Sequence, residues 1–452
     1  VITMFNSVED LLEATKGIVG KTFGELDKLE LFKKPSMRND KGILGKIVET
    51  GYYGYPNNSS AEADFNNIGV ELKASGFLRK QNDKWSAKER ISLSQIHYHK
   101  LIEEEFDFSS VVKKNRKILF IWYEYIKGVP QKDLVIHAYQ LFDFTEVEDI
   151  IKNDYLIIQD KVKRGFAHLL SEGDTVILGA ATKGASSADT TSQPCSDIPA
   201  KRRAFSLKNS FIKGVLNKHH ETLMLQSTGE TSPESWVWNR VKLYKGMTQL
   251  EILKMIDGKE YKVSKTLGGM ITKRIFGNID KLEKEYEVFN MSDYVIKSLP
   301  VDSKLYPLEK GTFSPLSRKD FEEEWEDSEW KMYFEGVTII YVTYIGKKID
   351  GTKIPNGSRI LDSIYKVTFT EEDIEAFGKT YKLVQKALIS NDIERLPVAT
   401  TYKNSPLVLS TKSQAGGAYK KFMKGERSAC FMFNKNFIYK KLLEARDTHQ
   451  FK

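Results

Sequence analysis

A mixed α/β fold built twice is what this sequence predicts, and three observations predict it. Short stretches resemble one another at a separation of roughly 220 to 226 residues, and the matches come in the same order in both halves. Within each half, helical periodicity alternates with runs rich in aromatic and β-branched residues. At 452 residues the chain is too long for one ordinary core, so two domains are expected.

The elements follow in order. Ser7-Val8-Glu9-Asp10 has the spacing of an N-terminal capping box, which predicts a helix to about Lys16. A second helix is expected near 43–50 and carries Glu49. Gly69-Val70-Glu71-Leu72-Lys73 alternates apolar with polar, the pattern of a half-buried strand. Residues 117–126 and 134–142 read as strands. Residues 145–170 read as a helix with Ile150, Ile151, Ile157, Ile158 and Val162 on one side. Residues 179–199, rich in Gly, Ser, Ala, Thr and Pro, read as a loop. The polar stretch 219–234 breaks the periodicity and places a linker there. The division expected is therefore 1–225, a linker over 226–245, and 246–452. Repeat matches fall at 42–54 with 265–277, at 117–123 with 337–342, and at 204–212 with 430–438.

Composition narrows the class. Hydrophobic content of 40% and aromatic content of 12% suit well-packed units. No apolar run reaches the length of a membrane span, and no signal-peptide pattern is visible. Cys195 and Cys430 lack neighbours at zinc spacing, so a reduced cytoplasmic protein without structural zinc is expected. The net charge of +8 is uneven: residues 1–230 hold 32 basic and 31 acidic side chains, leaving 37 against 30. Lys201, Arg202, Arg203, Lys208, Lys213 and Lys218 form a run free of acids, and Glu426 is the one acid between Thr401 and Lys441. Such patches suit a polyanion, because lysine and arginine neutralise phosphates and release counterions.

The candidate chemistry lies between Asp64 and Lys73. On a strand, Glu71 and Lys73 share a face, and a turn at Asn66-Asn67 brings Asp64 beside them. Two carboxylates offer hard oxygens to Mg²⁺, and a lysine can orient water and offset phosphate charge. The spacing alone is not selective, since Glu-x-Lys recurs at Glu260-Lys262 and Glu329-Lys331. His97-Tyr98-His99 lacks a third ligand and reads as surface, and His219-His220 falls in the expected linker.

Taken together, Thr22-Phe23-Gly24-Glu25-Leu26, Asp40-Lys41-Gly42-Ile43-Leu44-Gly45, Glu49, Asp64-Phe65 and Gly69 through Lys73 resemble the MutH family. That family joins a mismatch-repair endonuclease with Sau-type restriction endonucleases that cut at 5′-GATC. The resemblance continues through Tyr123-Glu124-Tyr125-Ile126-Lys127-Gly128, Thr182-Lys183-Gly184-Ala185 and Ala204-Phe205-Ser206-Leu207-Lys208. It implies two domains, each a central mixed sheet flanked by helices, the second present only in the Sau-type enzymes. It also implies that Asp64 and Glu71 hold Mg²⁺, that Glu49 supports them from its helix, and that Lys73 assists the attacking water. A further family lysine falls on Lys114, or on Lys113 if the alignment slips by one. Lys183 would contact the recognition bases, while Lys201, Arg202, Arg203 and Lys208 would contact phosphates. Ser206 stands where the repair enzyme has a tyrosine. In the second half Thr272, Val288 and Val295 stand opposite Glu49, Asp64 and Glu71, and Lys297 alone survives opposite Lys73. The resulting expectation is a Mg²⁺-dependent type II restriction endonuclease with a non-catalytic, effector-binding second domain. It would be a monomer without DNA, a dimer on DNA, and would not associate with membranes. A mismatch-repair nickase and a non-catalytic DNA-binding protein remain the alternatives.

Overall fold

In the computed structural model the described residues are 5–37, 40, 42–55, 62–79, 85–183, 189–216, 232–264, 267–276, 293–411 and 417–447. They form two compact units, Val1–Thr222 and Leu223–Lys452.

The first unit is organised around four strands: β1 (Val70–Arg79), β2 (Trp85–Ala87), β4 (Lys117–Glu124) and β5 (Ile136–Asp143), in the order β2-β1-β4-β5. β1 and β4 run parallel, and the other pairs are antiparallel. Ile118, Leu119, Phe120, Ile121 and Trp122 of β4 are all buried, so both faces of the sheet are covered. A second sheet joins β3 (Ile91–Gln95), β9 (Arg203–Leu207) and β6 (Leu178–Thr182) in the order β3-β9-β6. A ribbon of β7 (Thr190–Gln193) and β8 (Ser196–Lys201) stands beside it in the chain.

The second unit repeats this plan. Its sheets are β10 (Tyr294–Asp302), β12 (Thr338–Lys347) and β13 (Ile360–Val367), then β11 (Gly311–Pro315), β15 (Ala429–Phe433) and β14 (Leu407–Thr411). Their orders, β10-β12-β13 and β11-β15-β14, match β1-β4-β5 and β3-β9-β6. β10 and β12 are again the parallel pair. Even the caps are repeated: Thr22 closes a capping box with Glu25, and Thr248 closes one with Glu251.

Several expectations need correction. The helix expected over 145–170 is Glu148–Lys163, and Gly165 with φ of +77° ends the run in the left-handed conformation glycine favours. Ile157 is 37% exposed rather than on the packed side. The loop expected over 179–199 holds most of β6, whose small residues pair closely against β9, and then β7 and most of β8, which pair with each other; 184–188 lies outside the described residues. Of the expected linker, 226–231 lies outside the described residues, while Pro233–Val241 is a helix that buries Trp236 and Val237. The capping box read at Ser7 is real in its first half: Ser7 Oγ accepts from the Asp10 amide at 3.1 Å.

Candidate active site

The turn before β1 sets the site. Phe65 and Val70 exchange amide bonds of 2.9 and 3.3 Å, and the Gly69 amide donates to Asn66 O at 3.3 Å. Gly69 takes φ of +66°, which a side chain at this position would resist. The reversal returns Asp64 to the start of the strand. Its Oδ2 accepts from the Leu72 amide at 2.9 Å, and its own amide donates to Glu71 Oε2 at 3.3 Å.

Glu71 is 2% exposed, so the strand is buried more deeply than a half-buried face. Lys73 Nζ donates to Glu71 Oε1 at 2.6 Å, and Lys114 Nζ lies 3.5 Å from the same oxygen. Lys114 comes from the short helix Ser110–Asn115 that leads into β4, whereas Lys113 stacks over the Phe108 ring. The geometry therefore brings Lys114, not its neighbour, to the carboxylate. Burial is the main force raising the Glu71 carboxyl above its ordinary range; Asp64 adds to it, and Lys73 and Lys114 oppose it. Two close carboxylates, one of them buried, form a donor set whose repulsion a hard divalent cation would relieve. Among the described residues no third His, Cys, Asp or Glu joins them in a metal-holding group.

Glu49 is buried on a widened helical turn, Ile47–Tyr52, that continues the helix Ile43–Lys46. Turns of this width are uncommon and gather at functional sites. Ile47 and Val48 of that turn share a core cluster with Phe65, Val70, Leu72 and Leu119. The turn is held tightly from behind, because a Cβ on Gly51 would lie 2.8 Å from Leu26 O. Gly51→Ala is expected to cost about 1–3 kcal/mol through this overlap, measured as a lowered midpoint in denaturant.

The other two Glu-x-Lys pairs part from this arrangement. Glu329 and Lys331 sit on a helix, Glu329–Gly336, and Glu260 and Lys262 lie in irregular chain.

The expected DNA contacts divide. Lys183 and Arg202 are exposed and Lys201 is partly so; the Lys183 amide donates to Arg202 O at 2.7 Å. Arg203, Ser206 and Lys208, also expected at the DNA, are buried. Every residue of β9 is buried, and Arg203 Nη1 donates to Ala180 O at 2.6 Å. Ser206 is enclosed between β3 and β6. Lys208 Nζ donates to Thr175 O inside the unit. Near it, Asp154 accepts the amides of Val176, Ile177 and Leu178 at 2.9, 2.7 and 2.9 Å.

A cleft of about 540 Å³ brings His97, His99 and Lys100 to the same place as Lys183 and Arg202. Sequence reasoning set these histidines aside. The signal was the alternation itself, since Tyr98 is buried and the two histidines beside it are exposed.

In the second unit the register repeats and the chemistry does not. Glu71 and Lys73 stand opposite Ile118 and Phe120; Val295 and Lys297 stand opposite Ile339 and Tyr341. Thr272 is buried on the helix Leu267–Ile275, and its hydroxyl donates to Gly268 O at 3.0 Å. Val288, expected opposite Asp64, lies outside the described residues.

A family model described as DNA mismatch repair enzyme MutH matches residues 53–154, a span that holds Asp64, Glu71, Lys73 and Lys114. The type II restriction enzyme Sau3AI of Staphylococcus aureus is 31% identical over 386 residues, 79% of this chain and 75% of that protein. The chain belongs to the MutH-like family of type II restriction enzymes. Shorter MutH-like similarity points the same way. The DNA mismatch repair protein MutH of Histophilus somni (strain 2336) is 43% identical over 65 residues, 14% of this chain and 29% of that protein. That of Vibrio campbellii is 24% identical over 221 residues, covering 47% of this chain but 95% of its own length. A whole MutH thus corresponds to about half of this MutH-like chain. Among the described residues no helix is long and apolar enough to cross a membrane.

Proposed function

We propose that this chain is a type II restriction endonuclease that hydrolyses both strands of duplex DNA at unmethylated 5′-GATC, using Mg²⁺. The observation that carries the reading is the convergence of Asp64, Glu71, Lys73 and Lys114 at one end of a central strand. Asp64 and Glu71 would hold the metal, and Mg²⁺ there supplies Lewis acidity and charge for a phosphodiester. Lys73 orients the water whose oxygen bonds to phosphorus as a P–O ester bond breaks. Lys114 adds positive charge beside the phosphate, and Glu49 supports the carboxylates from its turn. Lys183, Lys201 and Arg202 approach the bases and phosphates. The GATC target rests on the resemblance to the Sau-type enzymes.

The second unit is read as a non-catalytic domain that binds a further DNA site and promotes cleavage. GATC is palindromic, so two scissile phosphates are related by a two-fold axis, while the described residues of one chain offer one carboxylate site of this kind. Two chains are then needed on one target, monomeric in free solution and paired on DNA. Plasmids with one or two GATC sites, adenine-methylated or not, test this with Mg²⁺ present. Unmethylated DNA should be cut in both strands, and the two-site plasmid faster per site. Persistent nicking of one strand would favour a repair-type nickase; no cutting would favour a DNA-binding protein.

A further inference from the structure

Where the first unit gathers carboxylates, the second gathers lysines. A cleft of about 310 Å³ is lined by Thr272, Lys273, Lys297, Ser298, Glu309 and Lys310, with Tyr341 at its wall. Lys297 is in register with Tyr341 as Lys73 is with Phe120, so the cleft occupies the place of the first unit's catalytic group. The Lys297 ammonium is fixed there, donating to Thr312 O at 3.2 Å and lying 4.4 Å from the Phe313 ring centre. Glu309 is the one carboxylate of the lining, and Arg359 already engages it at 3.1 Å. Positive charge extends past the rim to Lys435, whose Nζ donates to Leu308 O at 2.5 Å. Burial first, and then the charge of Lys310, hold Lys435 below the ordinary lysine range. Cations crowded against each other in a concave site favour a bound anion.

We propose that this cleft is a metal-independent clamp for a backbone phosphate of duplex DNA, held by Lys273, Lys297 and Lys310. A phosphodiester carries one negative charge and acceptor oxygens only, which suits ammonium groups and the Ser298 hydroxyl. Val295 stands in the position of Glu71, and the carboxylate that the lining does hold, Glu309, is countered by Arg359. The inference rests on the reading that the second unit binds DNA, and narrows that reading to one place.

The test is lysine acetylation of the full chain in EDTA, read by mass spectrometry, with a GATC duplex, with inorganic phosphate, or with neither. The duplex should slow acetylation of Lys273, Lys297 and Lys310 several-fold, and inorganic phosphate at equal phosphorus should not. Lys310→Glu, at an exposed position, should weaken binding of a second duplex about tenfold and lower the salt slope by about 1, with Lys310→Arg close to the parent. Protection of other lysines in 232–447 but not these would overturn the clamp and leave the DNA-binding reading standing. With no lysine of that unit protected, both fall. Equal protection by inorganic phosphate would make the cleft a small-anion site instead.

Discussion

With Asp64 replaced by Ala, cleavage of a GATC plasmid is expected to fall about 1,000-fold or more while DNA binding in Ca²⁺ stays near that of the parent chain. Losing a carboxylate proposed to hold the metal would remove charge stabilisation where negative charge develops on phosphorus, commonly several kcal/mol of barrier. Asp64 also has a structural part, because its Oδ2 accepts the Leu72 amide. Asp64→Asn separates the two. It offers an oxygen to the same amide without the charge, so it should melt near the parent temperature and still fail to cut. Plasmid digestion, a gel shift and a thermal melt together decide it. Cutting retained by Asp64→Asn would remove Asp64 from the chemistry.

Asp154→Ala is expected to destabilise the first unit by about 3–5 kcal/mol, the range for breaking a buried charge arrangement from one side. Three consecutive amides lose their acceptor at once. Burial pushes the Asp154 carboxyl up to about 6, against the pull of two of these amides, of Lys208 and of the third, so it is largely ionised at neutral pH. Removing it leaves Lys208 enclosed without that counter-charge. Urea unfolding, followed by a probe in the first unit, should show the midpoint falling sharply. Lys208→Ala should act the same way, lowering stability without changing the salt slope of DNA binding. A reduced slope at unchanged stability would restore Lys208 to the DNA surface.

The two outcomes for lysine show where the sequence could be read and where it could not. Repeat spacing revealed the duplicated plan because the central strands carry long apolar runs that survive divergence. Asp64, Glu71 and Lys73 were legible because a tight turn and a two-residue strand period leave little freedom in where they end up. Lys208 and Arg203 look like phosphate ligands in a basic run; their burial depends on partners at Thr175 and Ala180, far away in the chain. Residues 179–199 read as a loop for a related reason. Small residues signal flexibility locally, yet Gly179, Ala180 and Ala181 fit the close pairing of β6 with β9. Composition cannot distinguish those cases without the neighbouring strand. Likewise, the β-branched residues and glycine of the helical turn 47–52 weaken a helix without specifying that it widens, so its widening was not visible beforehand.

The shared register of β1 and β10 has a consequence for how the two copies can change. A cutting strand must keep a carboxylate in its interior, held between two ammonium groups, and every neighbour is constrained to tolerate it. Exchanging a buried charge for a packed aliphatic group is often neutral or stabilising, so the copy with Val295 is released from that demand. Duplication thereby divides two evolutionary tasks that a solitary unit must reconcile. One half carries a buried carboxylate between two ammonium groups, while the other has Val295 at the matching register and carries no such constraint there.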